Sequence, residues 1–229
     1  DMAATDGVYA AELPRLPSGA TVRYFLALSD AEGVNSWTSH AGFEEALYGF
    51  YVGDLEPVVC AGDDWAGWTS SSTSTTGGTA VTDWALGVPL GYGGDPDGPY
   101  SGGSSWGTNL GGEQGYYQNG LYTHDQQSTL NGPAWSVAGL ERVRLQYRRW
   151  LQAEDGLYDR ASIQVNGVQI WQNASSALGL THHLDARWVM HDLDLADVLA
   201  GSSTGRVSFQ LKSDGAFELG GWNVDEVCL

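Results

Sequence analysis

The chain is poor in positive charge. Its 229 residues hold 10 Lys and Arg against 28 Asp and Glu, a formal net charge of −18, and Lys212 is the single lysine. Charge of that sign repels phosphate backbones and anionic headgroups. Nucleic acid is therefore excluded as a partner, and a membrane surface is disfavoured. Apolar runs of about 18 residues are lacking, so no segment reads as a membrane-spanning helix. No leader-type stretch follows Asp1, and the chain reads as a piece of a longer secreted or cell-surface protein. Hydrolase signatures are also wanting. No H-E-x-x-H occurs, a catalytic serine elbow is not expected, and the abundant carboxylates form no glycosidase-like pair. His40, His124, His182, His183 and His191 read as surface or loop residues, since adjacent histidines on a strand face opposite ways. No catalytic residue is assigned.

What is present points to sheet. Gly-, Asp- and Ser-rich turns separate short runs of Val, Leu, Phe, Trp and Tyr, the pattern of antiparallel strands. The chain reads as all-β, in three parts: residues 1–53, a short linker at 54–59 (DLEPVV), and a domain over 60–229. In the first part GVYA, TVRYFLAL and LYGFYVGD read as three strands. An immunoglobulin-like sandwich needs about seven. In the second part the Ser/Thr/Gly run at 70–79 reads as a loop. Residues 87–115, around GDPDGPYSGGSSWGTNLGG, read as a long irregular loop with strand fragments. ERVRLQYRRWL alternates in strand fashion, and ASIQVNGVQIW is a hairpin with Asn166-Gly167 at its turn. RVSFQLKSD and GGWNVDEVCL are further strands. Two sheets with both ends adjacent make a jelly roll.

Cysteine is scarce: Cys60 follows the linker and Cys228 is the penultimate residue. If the domain begins near one and ends at the other, a disulfide joins its terminal strands. On chain-entropy grounds it is worth roughly 4–5 kcal/mol, and it implies an oxidising compartment. Two buried free thiols are the alternative.

Residues 147–167, YRRWLQAEDGLYDRASIQVNG, carry an unusual charge density for strands. Alternation puts Arg149 on the face of Val143, Leu145 and Tyr147. A buried guanidinium needs a carboxylate, and Glu154, Asp155 and Asp159 follow across a turn. The reading is a structural network of Arg149, Glu154 and Asp159. Trp65, Trp68, Trp84, Trp150 and Trp222 read as core. Tyr92, Tyr100, Trp106, Tyr116, Tyr117 and Tyr122 lie in or beside the long loops. There, rings that fill gaps and rings that stack on a ligand are equally good readings.

Two resemblances add to this. Residues 8–53, through AELPRLPSGATVRYFLALSDAEG and LYGFYVG, resemble the last strands of the Ig-like modules of secreted bacterial hydrolases. Residues 60–229 resemble the MAM-like jelly-roll module of secreted metallopeptidases of the immune-inhibitor-A type. DDWAGWT, DWALGVP, SSWGTNLGG, LQYRRWLQAEDGLYDRASIQVNG, SDGAFELGGWNVDEV and the Trp188 to Leu195 segment carry the second resemblance, although DDWAG replaces the usual FE after the first strand. The resemblance implies an accessory module that binds protein or glycan or stabilises its parent catalytic domain. It also implies a structural calcium ion, matched by motif to Asp63 or Asp64, Asp95 or Asp97, and Asp225. Calcium takes six to eight oxygens; GDPDG and NVDEV offer several, and solvated turn aspartates are the other reading. The alternative role is an adhesive module whose incomplete Ig-like half is finished by a neighbouring chain. A monomer is expected otherwise.

Overall fold

The computed structural model describes residues 3–5, 8–24, 26–29, 35–38, 48–61, 65–112 and 119–229. The first part forms β1 (Ala3–Thr5), β2 (Val8–Ala10), β3 (Thr21–Tyr24), β4 (Leu26–Ser29), β5 (Asn35–Thr38) and β6 (Tyr48–Tyr51). Among the described residues these are six short strand segments; the three expected strands fall on β2, on β3 with β4, and on β6. They pair antiparallel in twos: β1 with β2, β3 with β6, β4 with β5.

The remainder contains β7 (Thr69–Ser74), β8 (Trp84–Gly87), β9 (Ser105–Thr108), β10 (Gln126–Asn131), β11 (Trp135–Ser136), β12 (Arg144–Ala153), β13 (Arg160–Val165) and β14 (Val168–Gln172). It continues with β15 (His183–Leu184), β16 (Val189–Asp194), the helical turn α1 (Ala196–Leu199), β17 (Thr204–Gly205), β18 (Val207–Lys212) and β19 (Gly221–Cys228). One sheet has the order β14-β13-β18-β10-β7. The other has the order β15-β12-β19-β9-β8, with β16 also beside β12. The chain passes repeatedly from one sheet to the other, and the result is an antiparallel β-sandwich.

Strand periodicity explains the core. In β18, Val207, Phe209 and Leu211 are buried while Ser208 and Gln210 are half-buried. β12 buries Leu145, Tyr147, Leu151 and Ala153 on one side. Phe209 of the first sheet meets Trp222 and Tyr147 of the second, with ring centroids 5.4 and 5.1 Å apart. Burying a side chain of this size stabilises by about 1.5–3 kcal/mol, so these rings carry much of the sheet-to-sheet adhesion. Asn166 and Gly167 have φ of 51° and 81°, the left-handed pair that a tight hairpin requires.

Three expectations need correction. Half of the Ser/Thr run is the edge strand β7, paired with β10 along its full length; the Ser72 and Ser128 hydroxyls bond at 3.1 Å across the pair. Trp106 and Tyr122 are core residues, because β9 is an inner strand between β19 and β8, and Tyr122 is fully buried. Trp150 lies on the outer face, since Arg149 beside it points inward.

The ends are stapled by the disulfide Cys60–Cys228, with Cα atoms 4.0 Å apart. Around it Ala61 donates to the Val227 carbonyl, and Leu229 and Val59 bond each other. The β3–β6 pair touches the sandwich at Arg144. That side chain is buried, donates to Thr21 Oγ1 at 3.2 Å, and lies 4.9 Å from the Tyr51 ring centroid. Asp192 and Asp194 neutralise it. Among the described residues no helix is long and apolar enough to cross a membrane.

Candidate functional site

The charged strand β12 first resolves into a buried ion pair. Arg149 is fully buried, but its partner is Asp185, not Glu154 or Asp159. The fork is bidentate, Nε to Oδ2 at 2.8 Å and Nη2 to Oδ1 at 3.1 Å. Asp185 also accepts the Leu151 N–H at 2.9 Å, and His183 Nε2 lies 3.2 Å from its other oxygen. The guanidinium sits 5.4 Å from the Trp171 ring centroid. Burial alone would raise the Asp185 carboxyl, but Arg149 and His183 outweigh it and hold it far below the usual carboxylate range. Burial, with the Arg149 charge, pushes the His183 imidazole down. His183 is thus a core residue and not the surface histidine expected. All three groups are enclosed, so this cluster orders the sheet and offers no access to a substrate.

Glu154 and Asp159 instead flank a turn at one end of the sandwich. Asp155 organises it: its carboxylate accepts the N–H groups of Leu157, Ser176 and Thr181 and the Ser176 hydroxyl. Gly156 is required there, since a Cβ would fall 2.8 Å from the Ala174 carbonyl and 2.9 Å from that of Asn173. Asp159 Oδ2 accepts the Tyr122 hydroxyl and Oδ1 accepts the Asp214 N–H. Burial pushes the Asp159 carboxyl up to about 7 against these donors.

The Gly-rich loop lies over the outer face of the second sheet. Asp95 is buried and accepts from Asn223 Nδ2 at 2.6 Å; burial raises its carboxyl strongly. Asp225 is buried, and its oxygens accept the N–H groups of Ser101 and Glu226. Burial raises its carboxyl, and these donors partly offset the rise. Asp97 is exposed. Of the aspartates matched to calcium, Asp95 and Asp225 tie the loop to β19, Asp95 Oδ2 is buried with no hydrogen-bond partner among the described residues, and Asp63 and Asp64 lie outside those residues. Among the described residues, the group of three acidic side chains that converges is Glu154, Asp159 and Asp214, with facing oxygens within 4.8 Å of one another.

The same loop builds an aromatic surface. Tyr100 is 42% exposed and stacks over Arg148, whose guanidinium is 4.1 Å from the ring centroid. Arg148 also reaches Glu226 at 3.2 Å. Trp188 meets Tyr100 and Trp150 edge-on, at 6.4 and 6.2 Å between centroids. Trp150 Nε1 donates to the Gly94 carbonyl at 2.8 Å, which fixes its ring. Tyr92, in the same loop, is exposed. Tyr116 and Tyr117 lie outside the described residues. Gly103-Ser104-Ser105-Trp106-Gly107 spells G-x-S-x-G, although no such motif was expected in this sequence. However, Ser105 is a fully buried residue of β9 and not the exposed apex of a strand-to-helix turn.

No protein-family model matches the chain. In sequence it is 26% identical over 226 residues to Bacillopeptidase F of Bacillus subtilis (strain 168), covering 97% of this chain. The chain spans 14% of the length of that relative. The K1 cleaved adhesin domain of Lys-gingipain from Porphyromonas gingivalis W83 superposes over 71% of this chain and 89% of its own, at 14% identity and a TM-score of 0.41. A carbohydrate-binding module of the β-sandwich superfamily covers 98% of this chain and 82% of its own, at 12% identity and a TM-score of 0.38.

The residues that sequence reasoning passed over are Asp185, Trp188 and Asp214. Asp185 and Trp188 lie in THHLDARWVMHDL, in the short connection between β15 and β16. Asp214 lies in SDG, which reads as a plain turn. Only sheet pairing brings each to its partners.

Proposed function

We propose that this chain is a non-catalytic accessory module of a secreted bacterial hydrolase, a peptidase by its relative's name, and that it is MAM-like. It engages a protein or glycan ligand through the outer face of the second sheet. The observation that carries this is the surface of Tyr100, Trp150 and Trp188 around Arg148, with Glu226 beside it. Ring faces stack on sugar rings and on side chains, and a paired cation and anion at their edge supply directed hydrogen bonds. The buried ion pair Arg149–Asp185 is enclosed, which supports a structural role for it. The disulfide supports an oxidising, extracellular setting.

The test is affinity electrophoresis against a panel of soluble polysaccharides and denatured proteins, followed by titration of tryptophan fluorescence with whatever retards the chain. Trp188→Ala and Tyr100→Ala should each weaken binding about 2- to 12-fold, because a stacked ring is worth about 0.5–1.5 kcal/mol. Binding that survives both changes would move the ligand elsewhere.

The pairing of the N-terminal strands only in twos, among the described residues, supports a second reading, assembly by strand sharing. Light scattering decides it: a monomer at all concentrations rejects strand sharing.

A further inference from the structure

We propose that Glu154, Asp159 and Asp214 form a calcium site, distinct from the Gly-rich loop, that ties the two sheets together at one end of the sandwich. Glu154 directly follows β12 of the second sheet. Asp159 directly precedes β13, and Asp214 follows β18, both of the first sheet. Their facing oxygens all lie within 4.8 Å of one another. Oxygens bound to one calcium at about 2.3–2.6 Å stand at most about 5 Å apart, so this spacing admits the ion without rearrangement.

A cluster of carboxylates is common without an ion. Glu154 sets this one apart. It is only 9% exposed, and among the described residues no hydrogen bond or ion pair reaches its carboxylate. Its main chain is fully used: the N–H lies 3.4 Å from the Tyr122 hydroxyl and the carbonyl accepts Asn173 Nδ2 at 3.0 Å. The side chain is therefore held, by a fixed backbone, toward two other carboxylates. The charges that act on it are those of Asp214, Asp155 and Glu218, all negative. Burying an anion among anions is costly, and a buried charge is ordinarily paired or bound to metal. Asp159 is held in place by Tyr122 and by the Asp214 main chain, so two of the three ligands are oriented before any ion arrives. Oxygen-only donors select a hard cation, and neither histidine nor cysteine stands in the group.

The experiment uses the whole chain, stripped with chelator under non-reducing conditions. Terbium is titrated first, with tyrosine excitation, since Tyr122 contacts a proposed ligand. Calcium then displaces it, and thermal midpoints are taken in millimolar calcium and in chelator. The wild type should show sensitised terbium emission, displacement by calcium and a higher midpoint with calcium. Glu154→Gln should lower calcium affinity at least about tenfold, because site affinity follows ligand charge. It should also raise the midpoint in chelator, because the repulsion is gone; a merely damaged fold would lower it. Asp225→Asn should keep the calcium response. If Glu154→Gln keeps the full calcium response, or if the wild type shows none, the site is refuted.

Discussion

Asp185→Asn tests whether the charges of β12 are structural. Arg149 is 0% exposed and its fork closes on Asp185 through bonds of 2.8 and 3.1 Å. Asparagine keeps the shape and one acceptor but removes the charge, which leaves a buried guanidinium uncompensated. Breaking a buried pair from one side costs about 3–5 kcal/mol. In a domain of this size each kcal/mol moves the midpoint by about 2–4 °C, so the drop should be about 6–20 °C. Near-UV circular dichroism melts at neutral pH, with the disulfide intact, measure it. Urea titration checks that the transition stays two-state. The double change Arg149→Met with Asp185→Leu removes both charges and should recover part of the loss. It should not recover all, because the Leu151 N–H loses its acceptor at a cost of about 1–3 kcal/mol. The expected order is wild type, double variant, single variant. A single variant that melts within about 2 °C of the wild type, or a double variant no better than the single, would refute the reasoning.

The disulfide spans 168 residues, for which the chain-entropy relation gives about 5 kcal/mol; reduction, or Cys60→Ser with Cys228→Ser, should lower the midpoint by about 10–20 °C. A change of only a few degrees would mean that the strand pairing around it holds the ends by itself. Low pH should also expose Asp185. Its folded carboxyl lies far below its unfolded value of about 3.9, so its stabilisation is present above that value and is lost as pH falls beneath it. Melts from neutral pH downward should therefore decline less steeply in Asp185→Asn than in the wild type, and parallel curves would refute the assignment.

The sandwich was legible where information is local. Alternation in RLQYRRWLQA placed Arg149 inward, Asn-Gly placed the hairpin, and two cysteines at the ends of one domain placed the staple. What was not legible is set by pairing between distant strands. Arg149 finds its carboxylate 36 residues away because Leu151 and Asp185 meet across the β12 edge; the nearer Glu154 and Asp159 lie past the strand end. Trp106 looked like a loop residue among glycines, yet those glycines let an inner strand approach its neighbours: a Cβ at Gly107 would fall 2.1 Å from Asn223 Oδ1. Asp95 and Asp225 were legible as special, but the bonds that tie the loop to β19, from Asn223 to Asp95 and from the Ser101 N–H to Asp225, join segments more than 100 residues apart.

The staple between Cys60 and Cys228 also has a mechanical meaning. Tension between a segment upstream of Cys60 and one downstream of Cys228 crosses a single covalent bridge between Cα atoms 4.0 Å apart. It does not run through the sandwich. The sheets between those points hang as a side branch, off the line of force. Shear at a cell surface or pulling on an anchored chain would load the β3–β6 pair and the linker first, while the aromatic face kept its shape. Reduction of that one bond would put the whole sandwich in series with the load.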